Sequence, residues 1–182
     1  SSAPLRKRPP DRLSLADLAP LPKTLPGKIM DVITTHVNAD FDCLGAMVAA
    51  KKLYPDAMMV FSGSQEKSMR DFFLKSTGYA LDFKRLKDVD VSSVTRLILV
   101  DCQHSSRIGR LAEAALLPGV DVHIYDHHPD IRGDLRPSGG EIRECGSSTT
   151  ILARILMAKG LAVSPVEATL MMLGIHEDTG NL

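Results

Sequence analysis

Aspartate and histidine residues recur together at four separate places in this sequence. They occupy residues 36–42 (HVNADFD), Asp101 at the end of an apolar run, residues 126–128 (DHH) and residues 176–180 (HEDTG). Carboxylate oxygens and imidazole nitrogens, without thiolates, are ligands that suit Mn²⁺, Mg²⁺, Co²⁺ or Zn²⁺. The sequence therefore predicts a divalent-metal site, provided that the fold brings the four segments together.

Apolar runs and helix-like segments alternate along most of the chain, and they would have to position these residues. We predict strands over residues 28–35, 57–62, 95–101 and 120–126, an edge strand over 141–144, and helices over 42–53, 68–76, 105–117, 147–159 and 165–174. This alternation is typical of right-handed crossovers and a parallel sheet. We therefore predict an α/β domain with a mostly parallel central sheet of about five strands and helices on both faces.

The N-terminal segment differs in composition from this α/β region. Six of the 11 prolines lie within residues 1–27, and proline removes the backbone donors that regular structure needs. We interpret residues 1–27 as a flexible, Pro-rich arm and residues 28–182 as a single metal-binding domain.

Composition excludes several classes of protein. The 182 residues carry 22 Lys and Arg against 22 Asp and Glu, so bulk positive charge cannot hold a nucleic acid. No apolar run approaches the roughly 18 residues of a membrane span. Three cysteines and the lack of a signal-peptide pattern argue against a secreted disulfide scaffold. We expect a cytoplasmic protein with no membrane contact.

In a parallel sheet, ligands bind beyond the carboxyl ends of the strands, which is where the predicted strands place their acids and histidines. Asp40 and Asp42 lie two residues apart on a turn, so they can face different sides of one cavity. Asp101 at the end of a central strand could then bridge two ions. Such a pair polarises a phosphoryl oxygen and lowers the pKa of a shared water, which is the chemistry of phosphate-ester hydrolysis.

Simpler roles exist for each of these residues taken alone. His36 could be an ordinary surface histidine, and Asp101 could be a plain turn residue at a strand end. Either Asp40 or Asp42 could cap the following helix, because aspartate is a favoured N-cap. The three cysteines are expected to behave as small apolar residues. The joint occurrence of all four segments favours the metal site.

With these four segments, the sequence resembles the DHH phosphoesterase superfamily. This superfamily includes RecJ-type exonucleases, oligoribonucleases, cyclic dinucleotide phosphodiesterases, exopolyphosphatases and family II pyrophosphatases. The resemblance covers residues 31–182 and shows four motifs in order. These are His36 to Asp42 followed by Gly45; Asp101 with Arg107 and Gly109; Asp126-His127-His128; and Asp178-Thr179-Gly180 after residues 146–149.

The resemblance implies a role for each of these residues. His36 and Asp40 would bind one ion, Asp42, His127 and Asp178 would bind the other, and Asp101 would bridge the two. His128 would contact the scissile phosphate or protonate the leaving oxygen, Asp126 would be a supporting acid near the metals, and Arg107 would steady an anionic group. The resemblance implies two divalent ions, with manganese preferred and magnesium, cobalt or zinc as alternatives.

The chain departs from the family pattern in two respects. The first motif has Phe41 between its two aspartates, where the family commonly has glycine, so the shape of the loop can differ. The family's C-terminal substrate domain, DHHA1, does not follow the fourth motif, so we expect a fragment of a longer protein. The amino-acid sequences of the motifs are most similar to those of the branch in which this domain is fused to CBS domains and a tRNA nucleotidyltransferase or poly(A) polymerase-like domain.

These expectations combine into one functional hypothesis with two alternatives. The hypothesis is a manganese-dependent phosphoesterase acting on short RNA, a nucleotide or a related phosphate ester. One alternative is a non-catalytic module that positions RNA or regulates a tRNA nucleotidyltransferase; the other is a pyrophosphatase or exopolyphosphatase. We expect further domains C-terminal to this one, and a homodimer is left open.

Overall fold

The computed structural model describes residues 30–75, 81–128 and 133–180. They form six strands and five helices: β1 Asp31–Thr34, α1 Phe41–Leu53, β2 Met58–Val60, α2 Lys67–Lys75, β3 Phe83–Lys84, β4 Arg96–Val100, α3 Leu111–Ala115, β5 Asp121–Asp126, β6 Gly139–Ile142, α4 Ser148–Ala158 and α5 Pro165–Thr179. The predicted N-terminal arm, residues 1–27, lies outside the described residues.

All six strands join one parallel sheet in the order β3-β2-β1-β4-β5-β6. The central strand β4 is buried almost throughout, as its uninterrupted apolar run predicts. One face of the sheet packs against α3 and the segment around Val91. The other face packs against α1 and α4, with α5 beside them. The predicted parallel α/β architecture with helices on both faces is therefore confirmed.

The strand count is six where about five were predicted. The additional strand, β3, has only two residues, which is too short to show a periodic pattern in the sequence. The predicted edge strand over 141–144 is displaced toward its N-terminus, because β6 spans Gly139–Ile142. Gly140, at φ +104, lies so close to the backbone of Ile124 that a Cβ there would overlap the Ile124 carbonyl oxygen.

Two helix predictions need correction. The helix expected over 105–117 is divided into a 3₁₀ helix, Ser105–Arg107, and the short helix α3. Gly109 separates them with a φ of +54, a left-handed conformation that interrupts a helix. The last helix was expected to stop at Gly174 but continues to Thr179. Gly174 is therefore not a helix terminator. It allows close packing, since a Cβ there would lie 2.7 Å from the carbonyl oxygen of Phe41 in α1.

The strand order creates a crevice beside β1. β2 and β3 follow β1 on one side of it, whereas β4 lies on the opposite side of β1. Helical connections diverge at such a switch point, and ligands bind there beyond the carboxyl ends of the strands. Among the described residues, no helix combines the length and apolar character needed to span a bilayer.

Candidate metal centre

A polar cleft of about 210 Å³ opens at the switch point, beyond the carboxyl ends of β1, β4 and β5. The side chains of three sequence motifs meet there with the end of α5. The lining residues include His36, Asp40, Asp101, Arg107, His128 and Asp178. The fold therefore brings together side chains that are up to 142 residues apart in the sequence.

Asp101 lies at the centre of this arrangement. It follows β4 directly and has a φ of +57, a left-handed conformation that is uncommon for residues other than glycine, asparagine and aspartate. Its side chain is buried, and its two oxygens face different neighbours. Oδ2 lies 3.2 Å from Nε2 of His36, whereas Oδ1 lies 3.4 Å from Nε2 of His127.

The first group of donor atoms surrounds Asp101 Oδ2. It contains His36 after β1, Asp40 at the start of α1, Cys43 in the first turn of α1, and Asp101, with the four donor atoms within 4.8 Å of one another. Asp40 also caps α1, because its Oδ1 accepts the N–H of Cys43 at 3.0 Å. The capping role considered from the sequence therefore coexists with a place in the cluster.

The second group contains Asp42, His127 and Asp178, again with donor atoms within 4.8 Å of one another. His127 Nε2 lies 3.1 Å from Asp178 Oδ2, at the last turn of α5. Asp42 is fully buried, and its two oxygens accept the backbone N–H groups of Ser148 and Thr149 at 2.7 and 2.9 Å. The positive N-terminal end of α4 thus holds this carboxylate in place.

His128 lines the cleft beside Asp101, with its Nδ1 3.7 Å from Asp101 Oδ1, and pairs closely with Asp126. Asp126 Oδ1 accepts hydrogen bonds from the backbone N–H of His128 at 3.1 Å and from its ring Nδ1 at 2.6 Å. This contact fixes the ring and leaves Nε2 available. Asp126 Oδ2 is buried and has no hydrogen-bond partner among the described residues.

Hydrogen bonds to backbone carbonyls settle the proton positions on the other two histidines. His36 Nδ1 lies 2.8 Å from the Val37 carbonyl oxygen, and His127 Nδ1 lies 3.1 Å from that of Cys145. A carbonyl only accepts, so Nδ1 carries the proton in both rings. In each neutral ring, Nε2 would then direct a lone pair at the Asp101 carboxylate. This arrangement is stable only with a proton or a cation between the ring nitrogen and the carboxylate oxygen.

The closeness of these titratable side chains, together with their burial, shifts their pKa values. Hydrogen bonding to Asp101, and then to Asp178, raises the pKa of His127 to about 11. Burial, together with the charge of Asp101, raises the pKa of Asp42 to about 7 despite its hydrogen bonds from Thr149. Burial opposes ionisation of Asp101, but the hydrogen bonds from His127 and His36 hold its pKa below the usual range. The site is therefore an acidic cavity that attracts positive charge.

The residues present fit a pair of divalent ions. Nδ1–H donation to a carbonyl with Nε2 directed at carboxylates is the usual arrangement of metal-binding histidines. Four carboxylates converge here, and Arg107 is the one arginine or lysine among the described residues that line the cleft. Asp101 belongs to the first donor group and also to a third one with His127 and His128, and His127 in turn belongs to the second group, so Asp101 lies between the two positions. Binding of ions at these residues stays a prediction.

Some contacts at the site could not be identified from the sequence. Ser148 donates a hydrogen bond from Oγ to Asp101 Oδ1 at 2.9 Å, and Glu66 joins the lining of the cleft. Cys43 was expected to be simple apolar filling, yet its Sγ lies 3.2 Å from His36 Nε2. For Ser148 the sequence does carry a signal, because residues 146–149 lie at the start of a predicted helix and helix N-termini bind anions.

The sequence of this chain is similar to a known family and to curated proteins over most of its length. Residues 31–175 match the DHH family, N-terminal domain. An A-adding tRNA nucleotidyltransferase of Geobacter sulfurreducens is 80% identical over 153 residues, covering 84% of this chain and 17% of that protein. An A-adding tRNA nucleotidyltransferase of Aquifex aeolicus is 32% identical over 151 residues, covering 82% of this chain and 17% of that protein. The chain thus spans about a sixth of the length of these curated relatives.

Solved structures share the fold at low sequence identity. An exopolyphosphatase-related protein from Bacteroides fragilis matches with a TM-score of 0.66 and 19% identity over 84% of this chain and 46% of that one. A Methanococcus jannaschii protein described as a family II inorganic pyrophosphatase matches with a TM-score of 0.65 and 21% identity over 82% of this chain and 48% of that one. These likenesses concern the fold alone.

Proposed function

The chain belongs to the DHH family, and from this premise we propose that it is a two-metal-dependent phosphoesterase domain acting on short RNA or nucleotides within a tRNA nucleotidyltransferase-like protein. The curated relatives support the second part of this proposal, because both are named A-adding tRNA nucleotidyltransferases. The site supports the first part. It concentrates buried carboxylates and oriented histidines in a cleft open to substrate.

One observation carries the proposal: the carboxylate of Asp101 divides its oxygens between two groups of donor atoms. Oδ2 faces His36 and Oδ1 faces His127. A carboxylate with this arrangement can bridge two ions, which is the basis of two-metal phosphoryl chemistry. A single-ion site would not need donor atoms on both sides of the same carboxylate.

The residues would divide the binding between two positions. His36, Asp40 and Asp101 would hold one ion, and Asp42, His127, Asp178 and Asp101 would hold the other. When bound, a pair of divalent ions, manganese in our proposal, supplies Lewis acidity toward a phosphoryl oxygen and makes water a stronger nucleophile near neutral pH. The hydrogen bonds from α4 to Asp42 and Asp101 keep these carboxylates oriented before any substrate binds.

His128 supplies the proton in this proposal. Asp126 accepts its Nδ1–H, which fixes the ring and leaves Nε2 to carry the proton that is donated to the leaving oxygen. Arg107 lines the same cleft and would pair with a phosphate oxygen that is not transferred.

The substrate class follows from the size and charge of the cleft. A cavity of about 210 Å³ accommodates a phosphate with part of a nucleotide, so a longer RNA would enter by one end. The net charge of zero gives no extended basic track for duplex nucleic acid. We therefore propose short RNA ends or free nucleotides as substrates.

The second candidate is a non-catalytic module that positions RNA, and one observation favours it. The curated relatives are named for nucleotide addition, an activity other than hydrolysis. In that case the metal centre would organise the domain, and the cleft would bind an RNA end without cleaving it.

Hydrolysis assays on the full-length protein distinguish the candidates. We expect manganese-dependent release of nucleotides from short oligoribonucleotides and slower cleavage of bis-p-nitrophenyl phosphate, with little action on pyrophosphate or polyphosphate. Asp178→Asn should remove this activity. Glu177→Gln is the matched control, because glutamine can still accept the N–H of Phe41, which Glu177 accepts at 2.7 Å, and Glu177 belongs to none of the donor groups formed by the described residues. Manganese binding without turnover would instead support the positioning module.

A further inference from the structure

The side chain of Cys43 occupies an unexpected place in the first donor group. Its Sγ lies 3.2 Å from His36 Nε2 and 3.5 Å from Asp101 Oδ2. The side chain is fully buried and belongs to the same cluster as His36, Asp40 and Asp101. We propose that Cys43 is a metal ligand in this cluster, so that the first position binds a thiophilic ion such as Zn²⁺ more tightly than the second position does.

The spacing of the donor atoms supports this assignment. Around a tetrahedral zinc ion, nitrogen and sulfur ligands lie about 3.3–3.6 Å from each other, given bond lengths of about 2.0–2.3 Å. The separations between Cys43 Sγ, His36 Nε2 and Asp101 Oδ2 are 3.2 to 3.5 Å. The sulfur atom therefore lies at the distance of a ligand from the other donors, and the set of one nitrogen, two carboxylates and one sulfur suits zinc.

The other cysteines of the chain have different surroundings. Cys102 Sγ lies 3.5 Å from the carbonyl oxygen of His104, and Cys145 Sγ lies 3.3 Å from that of Ser147. Neither belongs to a group of donor atoms that could hold an ion. Position, rather than residue type, thus distinguishes Cys43.

Thr35 holds the sulfur atom in this position. Its hydroxyl donates a hydrogen bond to Cys43 Sγ at 2.9 Å, and the sulfur lies beside His36 and Asp101. On binding, the S–H bond breaks, its electron pair forms the sulfur–metal bond, and the proton leaves to solvent. The second group, Asp42, His127 and Asp178, has only nitrogen and oxygen donors. Oxygen-rich groups of this kind suit Mn²⁺, so the two positions would differ in the ion they prefer.

Cobalt spectroscopy on the metal-free, full-length protein tests the inference, which rests on the two-ion centre proposed above. Co²⁺ bound by a thiolate gives an intense sulfur-to-metal absorption band in the near ultraviolet. We expect this band in the wild type and in the Cys102→Ser control, and its loss in Cys43→Ser. We also expect Cys43→Ser to weaken binding of one Zn²⁺ by at least about tenfold, with Mn²⁺ binding at the second position unchanged.

The outcomes separate the two proposals. Binding of two ions without the sulfur band overturns the role of Cys43 and leaves the two-metal centre intact. Failure to bind Co²⁺, Zn²⁺ or Mn²⁺ at this cleft overturns the proposed function as well. If Cys43→Ser fails to fold, the band in the wild type, retained in Cys102→Ser and Cys145→Ser, still decides the assignment.

Discussion

The two ends of the parallel sheet both carry buried or half-buried aspartates, but their partners differ. At the amino end, Arg96 of β4 lies 3.0 Å from Asp31 and 3.5 Å from Asp121, on the neighbouring strands. At the carboxyl end of the same strand, Asp101 lies 3.2 and 3.4 Å from two histidines. An arginine is always charged, whereas a histidine is charged only when it binds a proton.

This difference separates a structural site from a binding site. The acids at the amino end have a permanent cation supplied by the chain itself, so they need no further ligand. The acids at the carboxyl end depend on a proton or a bound cation for neutralisation. Among the described residues that line the cleft, Arg107 is the one fixed cation against four carboxylates, so this end of the sheet is prepared to bind further positive charge. Four predictions test this contrast.

Replacing the shared carboxylate should have the largest effect. We expect Asp101→Asn to weaken manganese binding at both positions and to reduce hydrolysis by more than about 100-fold, because one side chain serves both donor groups. Isothermal titration with Mn²⁺ and the oligoribonucleotide assay measure these effects. Asp121→Asn at the amino end is the control and should leave both unchanged. Retention of two tight ions in Asp101→Asn would contradict the bridging role.

The pH dependence of stability should differ between the metal-free and metal-bound protein. The pKa of His127 is raised to about 11, above its unfolded value of about 6.5. The folded state therefore holds an extra proton, and this stabilisation is complete below about pH 6.5 and lost as pH rises through about 11. We expect the midpoint of thermal unfolding in EDTA to fall between pH 6.5 and 10.

Manganese should reverse this trend, because it replaces the proton at the histidines. At about 100 times its dissociation constant at pH 8.5, the ion should add about 2.7 kcal/mol to the free energy of unfolding, and the same ion concentration should add less at pH 5.5. His127→Gln should flatten the pH profile, whereas His123→Gln near the amino end should preserve it. An equal manganese effect at both pH values would contradict proton competition.

Loss of the His128 orientation should have an intermediate effect. Asp126→Asn removes the carboxylate that accepts from Nδ1, so we expect kcat to fall by roughly 10- to 100-fold while two manganese ions still bind. His104→Gln is the control, since His104 lies outside the cleft. A loss of metal binding in Asp126→Asn would show that this acid supports the ions instead.

Much of this fold could be predicted from the sequence, because buried parallel strands are continuous apolar runs. β4 and β5 and the alternation of strands with helices are visible in this way, and the carboxyl ends of parallel strands must meet at one edge. That rule is sufficient to expect His36, Asp101 and His127 near each other. The structure brings them together around one carboxylate.

Contacts that depend on tertiary packing could not be predicted. Gly174 looks like a helix terminator in the sequence, but its missing side chain lets α5 lie against α1. The contact of Cys43 Sγ with His36 depends on which side of α1 faces β1, and no periodic pattern reports this, because α1 is buried over most of its length. The role of α4 in holding Asp42 joins residues more than 100 positions apart.

Removing a helix cap should have the smallest effect. Two caps can be compared, one beside the cleft and one far from it. Ser147 caps α4, accepting the N–H of Thr150 at 3.0 Å, and the next two residues bind Asp42; Ser164 caps α5 far from the cleft. Each serine-to-alanine change should reduce the free energy of unfolding by about 1 kcal/mol, measured by urea denaturation. Ser147→Ala should also weaken manganese binding a few-fold, because fraying of α4 loosens the donors to Asp42. Equal manganese affinity in Ser147→Ala and Ser164→Ala would mean that α4 stabilises the domain without organising its metal centre.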